Sequence, residues 1–484
     1  MNFLKASHNK YRYSLFILLL LSIILSFRIF TNSIVDLNLH FDEAQYWGWS
    51  KDLDLGYFSK PPLLAWLISL STNLCGDTEF CIRLSTPILY FLSSIFVFLS
   101  TKLITDNIRL ACLSSVIFNL MPGITFSSFF INTDVPLIFF SSVFSYIFLI
   151  IYVKEKPSYF FYIILGIVFG LGLLSKYAMS YLLIATFLTI IFSKNLRNKF
   201  LSFKTFWFFV FSLIVILPHL YWNFENKFVT LEHTASNANL QKVTFNLREP
   251  FQFFLSQFII FGIYPLFLIL FNILGIKNFK KIEIILLYFF LTPILLIALM
   301  SIFSRANANW AVVGFPFGFI LLASLLNNKK KFSKLIYSIF SQIILSSFII
   351  LLVLIGKNNR NLDPFANSRH AKVLAESVLR QLNIYNNVAF MSDDREDFAL
   401  MLYYARRFNG KRAKWNGDIK IDDHYELTTD VNTLVGYNLI FLTRTAPTEA
   451  MLNRCESSEL LKSIEFSTRT KVKEYNIYLL ENWK

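Results

Sequence analysis

Apolar positions over residues 11–356 fall into repeated runs of about 20 residues, separated by loops that hold most of the charge of that stretch. Runs of that length with few charges predict helices able to cross a hydrocarbon core of about 30 Å. They read as 11–30, 82–104, 110–128, 135–153, 159–175, 177–193, 205–222, 251–274, 282–303, 310–326 and 335–356. The pattern predicts an α-helical polytopic membrane protein with about eleven transmembrane helices, given some tilt and short ends. Segment 61–75 is apolar but short, and reads as a re-entrant or interfacial helix. No small-residue cleavage site clearly follows the first run, which reads as a retained helix rather than a signal peptide. After residue 356 the pattern changes. Charges become dense and mixed, helical periodicity appears at 369–383 and 397–407, and β-rich runs appear at 387–391, 437–443 and 475–480. The prediction is a membrane domain, 1–356, joined through a linker at 357–368 to a small C-terminal extracytoplasmic α/β domain, 357–484.

Composition supports the pattern. Hydrophobic residues make up 55% and charged residues 16%, where a soluble chain carries about 25% charged residues. That excludes disorder of the whole chain. The 15 Gly and 13 Pro among 484 residues exclude a collagen-like fibre. A formal net charge of +15 would suit nucleic acid, but the excess lies in alternate loops. These hold Lys5, Lys10 and Arg12; Lys102 and Arg109; Lys154 and Lys156; Lys194, Arg197, Lys199 and Lys204; Lys277, Lys280 and Lys281; and Lys329, Lys330, Lys331 and Lys334. Loop 31–81 instead holds Asp36, Asp42, Glu43, Asp52, Asp54, Asp77 and Glu79 against Lys51 and Lys60. The positive-inside rule places the N-terminus in the cytoplasm and loop 31–81 outside; an odd number of spans then places residues 357–484 outside. No nucleic-acid partner is expected. Of the cysteines, Cys75 and Cys81 could bridge if their loop faces an oxidising compartment; two separate thiols are the alternative.

The informative loop begins His40-Phe41-Asp42-Glu43-Ala44-Gln45-Tyr46-Trp47-Gly48-Trp49. Adjacent carboxylates can act as a base and its support, or hold a divalent cation. An Asp there is also an ordinary helix cap. Gly56-Tyr57-Phe58-Ser59-Lys60-Pro61-Pro62 follows. Pro61 disfavours helix at Lys60, leaving its ammonium to meet a phosphate or simply to snorkel. Asp134 in Asn132-Thr133-Asp134 is a second candidate, with capping as its alternative. Lys176 breaks the positive-inside pattern, and an ionisable group near membrane depth is a functional candidate. His219 and Arg305 lie at the ends of other spans; a lone histidine such as His219 is more often a satisfied structural residue. On the predicted topology, the carboxylates Asp42, Glu43 and Asp134 and the cations Lys60, Lys176 and Arg305 all fall on one side, which suits a phosphate-bearing lipid substrate. No Walker pattern points to a nucleotide-driven step.

These motifs carry a resemblance. D-E-A-x-Y-W, G-Y-F-x-K-P-P-L-L-A-W-L, G-D-x-E-F-x-x-R-L, N-T-D-V-P-L, G-L-G-L-L-S-K-Y and A-N-W occur in this order over most of residues 40–320. Together they resemble the bacterial polyprenyl-phosphate-sugar glycosyltransferases of the dolichyl-phosphate-mannose–protein mannosyltransferase-like group (glycosyltransferase family 39), relatives of the aminoarabinose transferases. The resemblance implies a GT-C membrane fold in a bacterial inner membrane. It implies inverting transfer of a sugar from a polyprenyl-phosphate donor to a hydroxyl of a glycolipid, cell-surface polysaccharide or protein. It casts Asp42 as general base and Glu43 as its support or a help in placing a cation. Lys60 and Lys176 match phosphate-contacting positions, Arg305 is a third cation, and Tyr46 and Tyr57 match aromatic positions near the sugar phosphate. Asp134 and His219 complete the expected substrate-binding set. Two positions depart from the aminoarabinose branch: Ser59 stands where it usually has Glu, and Gln45 where it usually has Arg. Both weaken any claim that aminoarabinose is the sugar or that lipid A is the acceptor.

Two other functions compete. A transporter or lipid flippase would share the many spans, but the chain shows no internal repeat. A non-catalytic scaffold of a glycan-assembly complex would use residues 357–484 as a binding module and would tolerate changes at Asp42 and Lys60.

Overall fold

A computed structural model describes residues 2–238, 245–328, 332–356, 359, 361–418, 420–467 and 472–484. Lys329, Lys330, Lys331 and Asn358 lie outside the described residues. The chain divides into two compact units: Met1–Ser33, Lys60–Leu64 and Arg83–Ile350 in the first, and Ile34–Ser59, Ala65–Ile82 and Leu351–Lys484 in the second.

Among the described residues, seven helices are long and apolar enough to span a membrane: Tyr13–Ile34, Glu79–Thr105, Asp134–Val153, Lys204–Glu225, Lys281–Ser301, Ala308–Asn327 and Phe332–Gly356. The protein is a multi-pass membrane protein. The remaining apolar segments are helical but shorter or broken. Segment 110–128 divides into Ile108–Asn119 and Pro122–Ser127, because Pro122 cannot donate into the preceding turn and opens a new helix instead. Segment 251–274 bends by 115° between Arg248–Phe261 and Ile263–Ile273. Gly262 takes φ +108° at that break, a conformation open to glycine. The bend frees backbone groups that lipid cannot satisfy. Gln342, on the helix Phe332–Gly356, donates to the Phe261 carbonyl at 2.9 Å and meets one of them.

Packing inside the first unit relies on small residues, because lipid removes the hydrophobic drive between helices. Gly166 in Tyr159–Ser175 faces Lys204–Glu225 so closely that an added Cβ would lie 2.4 Å from the Phe208 carbonyl oxygen. Ser212 donates to the Gly166 carbonyl at 3.1 Å across the same contact.

The second unit is built on a five-stranded sheet: β1 Val388–Ser392, β2 Arg412–Lys414, β3 Asn438–Thr443, β4 Ser457–Ser467 and β5 Val472–Glu481, in the order β2-β1-β3-β5-β4. β1 runs parallel to β2 and β3, whereas β5 runs antiparallel to both β3 and β4. Helix Ala371–Ile384 precedes β1 and Arg395–Tyr404 follows it. Ala389, Met391, Leu439, Phe441, Leu480 and Trp483 belong to one buried cluster. The chain leaves β1 for β2 on one side and returns to β3 on the other, so the carboxyl ends of β1 and β3 form a topological switch point, where α/β sheets place ligand-facing groups. Helix Phe41–Lys51 belongs to this unit, and Cys75 and Cys81 are bridged within it.

Candidate active site

Helix Phe41–Lys51 separates the two adjacent carboxylates by function. Glu43 turns inward, 1% exposed, and its Oε2 accepts the His40 backbone N–H at 2.9 Å. His40 Nδ1 accepts the Asp42 N–H at 3.3 Å. Together they form a capping box, so the capping work falls to His40 and Glu43. Asp42 is left with a side chain 43% exposed. The two carboxylates therefore do not converge as ligands, and among the described residues no group of three His, Cys, Asp or Glu could hold a metal ion.

The aromatic residues behind Asp42 are packed in. Tyr46 is 5% and Tyr57 3% exposed. Tyr57 stacks on Trp49 at 4.5 Å, donates to the Trp49 carbonyl at 3.0 Å and accepts from the Asp54 N–H at 3.0 Å. Burial pushes its hydroxyl up to about 12.

The second unit grips this helix from several directions. Trp47 donates to Asp77 Oδ1 at 2.8 Å, and Lys51 lies 2.5 Å from the same oxygen. Burial alone would raise the Asp77 carboxyl; these donors, with the charges of Lys51 and Arg406, hold it below the usual carboxylate range. The Trp47 ring meets Tyr403 edge-on at 5.0 Å. Tyr404 accepts the Leu39 N–H at 2.6 Å and donates to Glu79 at 2.9 Å.

Arg395, which sequence reading missed, comes from the helix after β1. Its Nη1 donates to Gln45 Oε1 at 2.6 Å and reaches Asp42 Oδ1 at 3.4 Å, with the guanidinium 4.9 Å from the Phe41 ring centre. Burial opposes its charge, but the Asp42 carboxylate more than restores it and raises the guanidinium above its ordinary value. The only sequence signal was the run Asp393-Asp394-Arg395-Glu396-Asp397 directly after a β-rich stretch.

The first unit holds the other candidates. Asp134 opens helix Asp134–Val153, and Asn132 caps its N–H at 2.9 Å. Its own carboxylate does something else. Lys176 Nζ lies 2.6 Å from Oδ1, and Asn309 donates to Oδ2. Asp134 is 4% exposed, so this is a largely buried ion pair. His219, 1% exposed, shares a 2.7 Å hydrogen bond with the Tyr177 hydroxyl and lies against Asn223. Arg305 is exposed, and its guanidinium donates to Asn307 at 3.3 Å. Lys60 is half-buried ahead of helix Leu63–Cys75. Asp134 and Lys176 are thus brought together with Asn309, while His219, Arg305 and Lys60 have other neighbours.

Comparison with known proteins agrees with the motifs. The family model for dolichyl-phosphate-mannose-protein mannosyltransferase matches residues 59–222. Lipid A galacturonosyltransferase RgtD of Rhizobium johnstonii is 31% identical over 294 residues, which is 59% of this chain and 60% of that protein. Lipopolysaccharide core galacturonosyltransferase RgtA of the same organism is 25% identical over 186 residues, 38% of this chain and 37% of its own. The chain thus spans less than two thirds of the curated relatives it matches. The crystal structure of ArnT from Cupriavidus metallidurans bound to undecaprenyl phosphate superposes with a TM-score of 0.63 at 12% identity, covering 95% of this chain and 97% of that one. The fold is therefore the ArnT-like GT-C fold, helical with a small C-terminal sheet. The resemblance to the mannosyltransferase-like group is matched by a family model, by curated relatives and by a shared fold.

Proposed function

We propose that this protein is an inverting glycosyltransferase that moves a sugar from a polyprenyl-phosphate donor to an acceptor hydroxyl. The observation that carries the reading is the division of labour at Asp42 and Glu43. Glu43 is consumed as a cap, and Asp42 is left exposed at the start of a braced helix. A carboxylate so held is suited to general-base work. Asp42 takes the proton of the acceptor hydroxyl, and the oxygen attacks the anomeric carbon. The bond from that carbon to the phosphate oxygen breaks, and lipid phosphate departs with its electron pair. Lys60, Lys176 and Arg305 are assigned to the phosphate, since fixed cations stabilise charge that grows on a leaving group. Asp134 holds the Lys176 ammonium through Oδ1, and Asn309 steadies that carboxylate by donating to Oδ2. Tyr46 and Tyr57 are buried in the same unit as the base, each against Trp49, and His219 supports Tyr177.

Likeness to the Rhizobium relatives makes a galacturonosyl group the first sugar to test, and lipid A or a lipopolysaccharide core the first acceptor. The proposed setting is a bacterial inner membrane crossed about eleven times, with the N-terminus in the cytoplasm and residues 357–484 outside. The bridged Cys75 and Cys81 support an oxidising exterior for their loop.

The test is mass spectrometry of polar lipids from cells carrying wild type or Asp42→Asn. A polyprenyl-phosphate-sugar species should build up in the mutant at normal protein level. Matching lipid profiles would remove Asp42 as the base.

A further inference from the structure

Arg395 lies where an open α/β sheet places its working residues. It is the first residue of the helix that leaves β1, at the switch point between β1 and β3. Its immediate surroundings leave its charge directed at Asp42. Asp394, Glu396 and Asp397, the carboxylates beside it in sequence, are all claimed by Arg444 from the end of β3, at 3.2, 3.2 and 2.7 Å. Asp394 also caps the helix, accepting the N–H groups of Glu396 and Asp397 at 2.8 and 3.0 Å. The first turn is therefore fixed before Arg395 makes any contact. Its guanidinium then lies over the Phe41 ring, anchored on Gln45 at 2.6 Å, with Asp42 at 3.4 Å.

The unequal distances matter. A tight two-pronged pair would occupy the Asp42 carboxylate and leave it a poor proton acceptor. A short bond to the neutral Gln45 and a long, single contact to Asp42 hold the carboxylate's direction while leaving its lone pairs available. We propose that Arg395 is a positioning residue for the transfer reaction: through Gln45 and Phe41 it fixes the rotamer in which Asp42 meets the acceptor hydroxyl. The role rests on the transferase reading with Asp42 as base.

The experiment measures steady-state kinetics of the full-length detergent-solubilised protein, with undecaprenyl-phosphate galacturonic acid as donor and lipid A as acceptor. Misplacing a catalytic group by about 1 Å costs about a hundredfold in rate. Arg395→Gln should therefore lower kcat by roughly tenfold to a hundredfold and leave KM for the donor near the wild-type value. Arg395→Lys keeps the charge but loses the planar guanidinium that lies over the Phe41 ring, and should fall between wild type and Arg395→Gln. Gln45→Ala should lower kcat as well, and adding it to Arg395→Gln should cost little more, because the two act as one unit. An unchanged kcat in Arg395→Gln, or a raised KM at unchanged kcat, would overturn the role while the transferase reading stands. If Arg395→Gln does not fold, Arg395→Lys decides, and a wild-type kcat there would overturn it. Wild-type protein that turns over neither this pair nor any donor and acceptor in a polar-lipid extract of its own cells would remove the transferase reading and this role with it.

Discussion

The buried pair of Asp134 and Lys176 separates what holds the fold from what acts on substrate. Nζ and Oδ1 are 2.6 Å apart, and the two side chains are 18% and 6% exposed. Neutralising one partner strands the other charge away from water, at a cost of about 3–5 kcal/mol. Asp134→Asn should show the larger loss, because the Lys176 ammonium loses its only close carboxylate among the described contacts. Lys176→Met should cost somewhat less, because Asn309 still donates to the Asp134 carboxylate. The double variant removes both charges and should recover most of the stability, since a buried pair exchanged whole is often close to neutral. The assay is denaturant unfolding of the detergent-solubilised protein for the wild type, both single variants and the double variant. The expected coupling is about 3 kcal/mol or more. Transfer should behave differently: Lys176→Met and the double variant should both be inactive, the second while folded nearly as well as wild type. A double variant as unstable as the sum of the singles would refute the pairing. A stable double variant with normal turnover would remove Lys176 from the phosphate.

Two further outcomes can be checked directly. Burial holds the His424 ring at about 4, against the opposing charges of Asp423 and Asp54, and its Nδ1 has no hydrogen-bond partner among the described residues. Because this value is depressed, the associated stability is present above about 6.5 and drains away as pH falls toward 4, by at most about 3 kcal/mol. Melting curves from pH 7 to 4 should show that loss, and His424→Phe should flatten it; an equal slope in the variant would be the contrary result. At Gly166, the alanine methyl would press on the Phe208 backbone and cost about 1–3 kcal/mol. Gly48→Ala, with nothing within 4 Å, should be neutral or gain up to about 1 kcal/mol of helix propensity. Equal unfolding midpoints for the two variants would contradict the close helix contact.

Length and hydropathy made the helical segments readable, because lipid demands one satisfied backbone pattern over a known thickness. They could not show the 115° bend, since the apolar run continues through Phe261-Gly262-Ile263-Tyr264-Pro265 without a polar break. In the C-terminal sheet, β1, β3 and β5 announced themselves by buried, β-rich runs. β4 did not: it is an edge strand, exposed along much of its length, and its polar sequence reads as loop. The candidate base was legible because its motif is local. The split between an outward Asp42 and an inward capping Glu43 was not, because it depends on the His40 backbone. Arg395 stayed hidden because it lies 350 positions from Gln45 in sequence, inside a charge run indistinguishable from solvated surface.

Helix Phe41–Lys51 shares a compact unit with residues 351–484, and this bears on how related enzymes can be recombined. A chimaera cut only at the end of the last long helix would graft a foreign sheet onto a native Asp42 helix. It would lose the matching partners for Trp47, Leu39 and Gln45 in one step. The exchangeable module consists of three pieces, Ile34–Ser59, Ala65–Ile82 and Leu351–Lys484, and hybrids that move them together should retain activity where single-cut hybrids lose it.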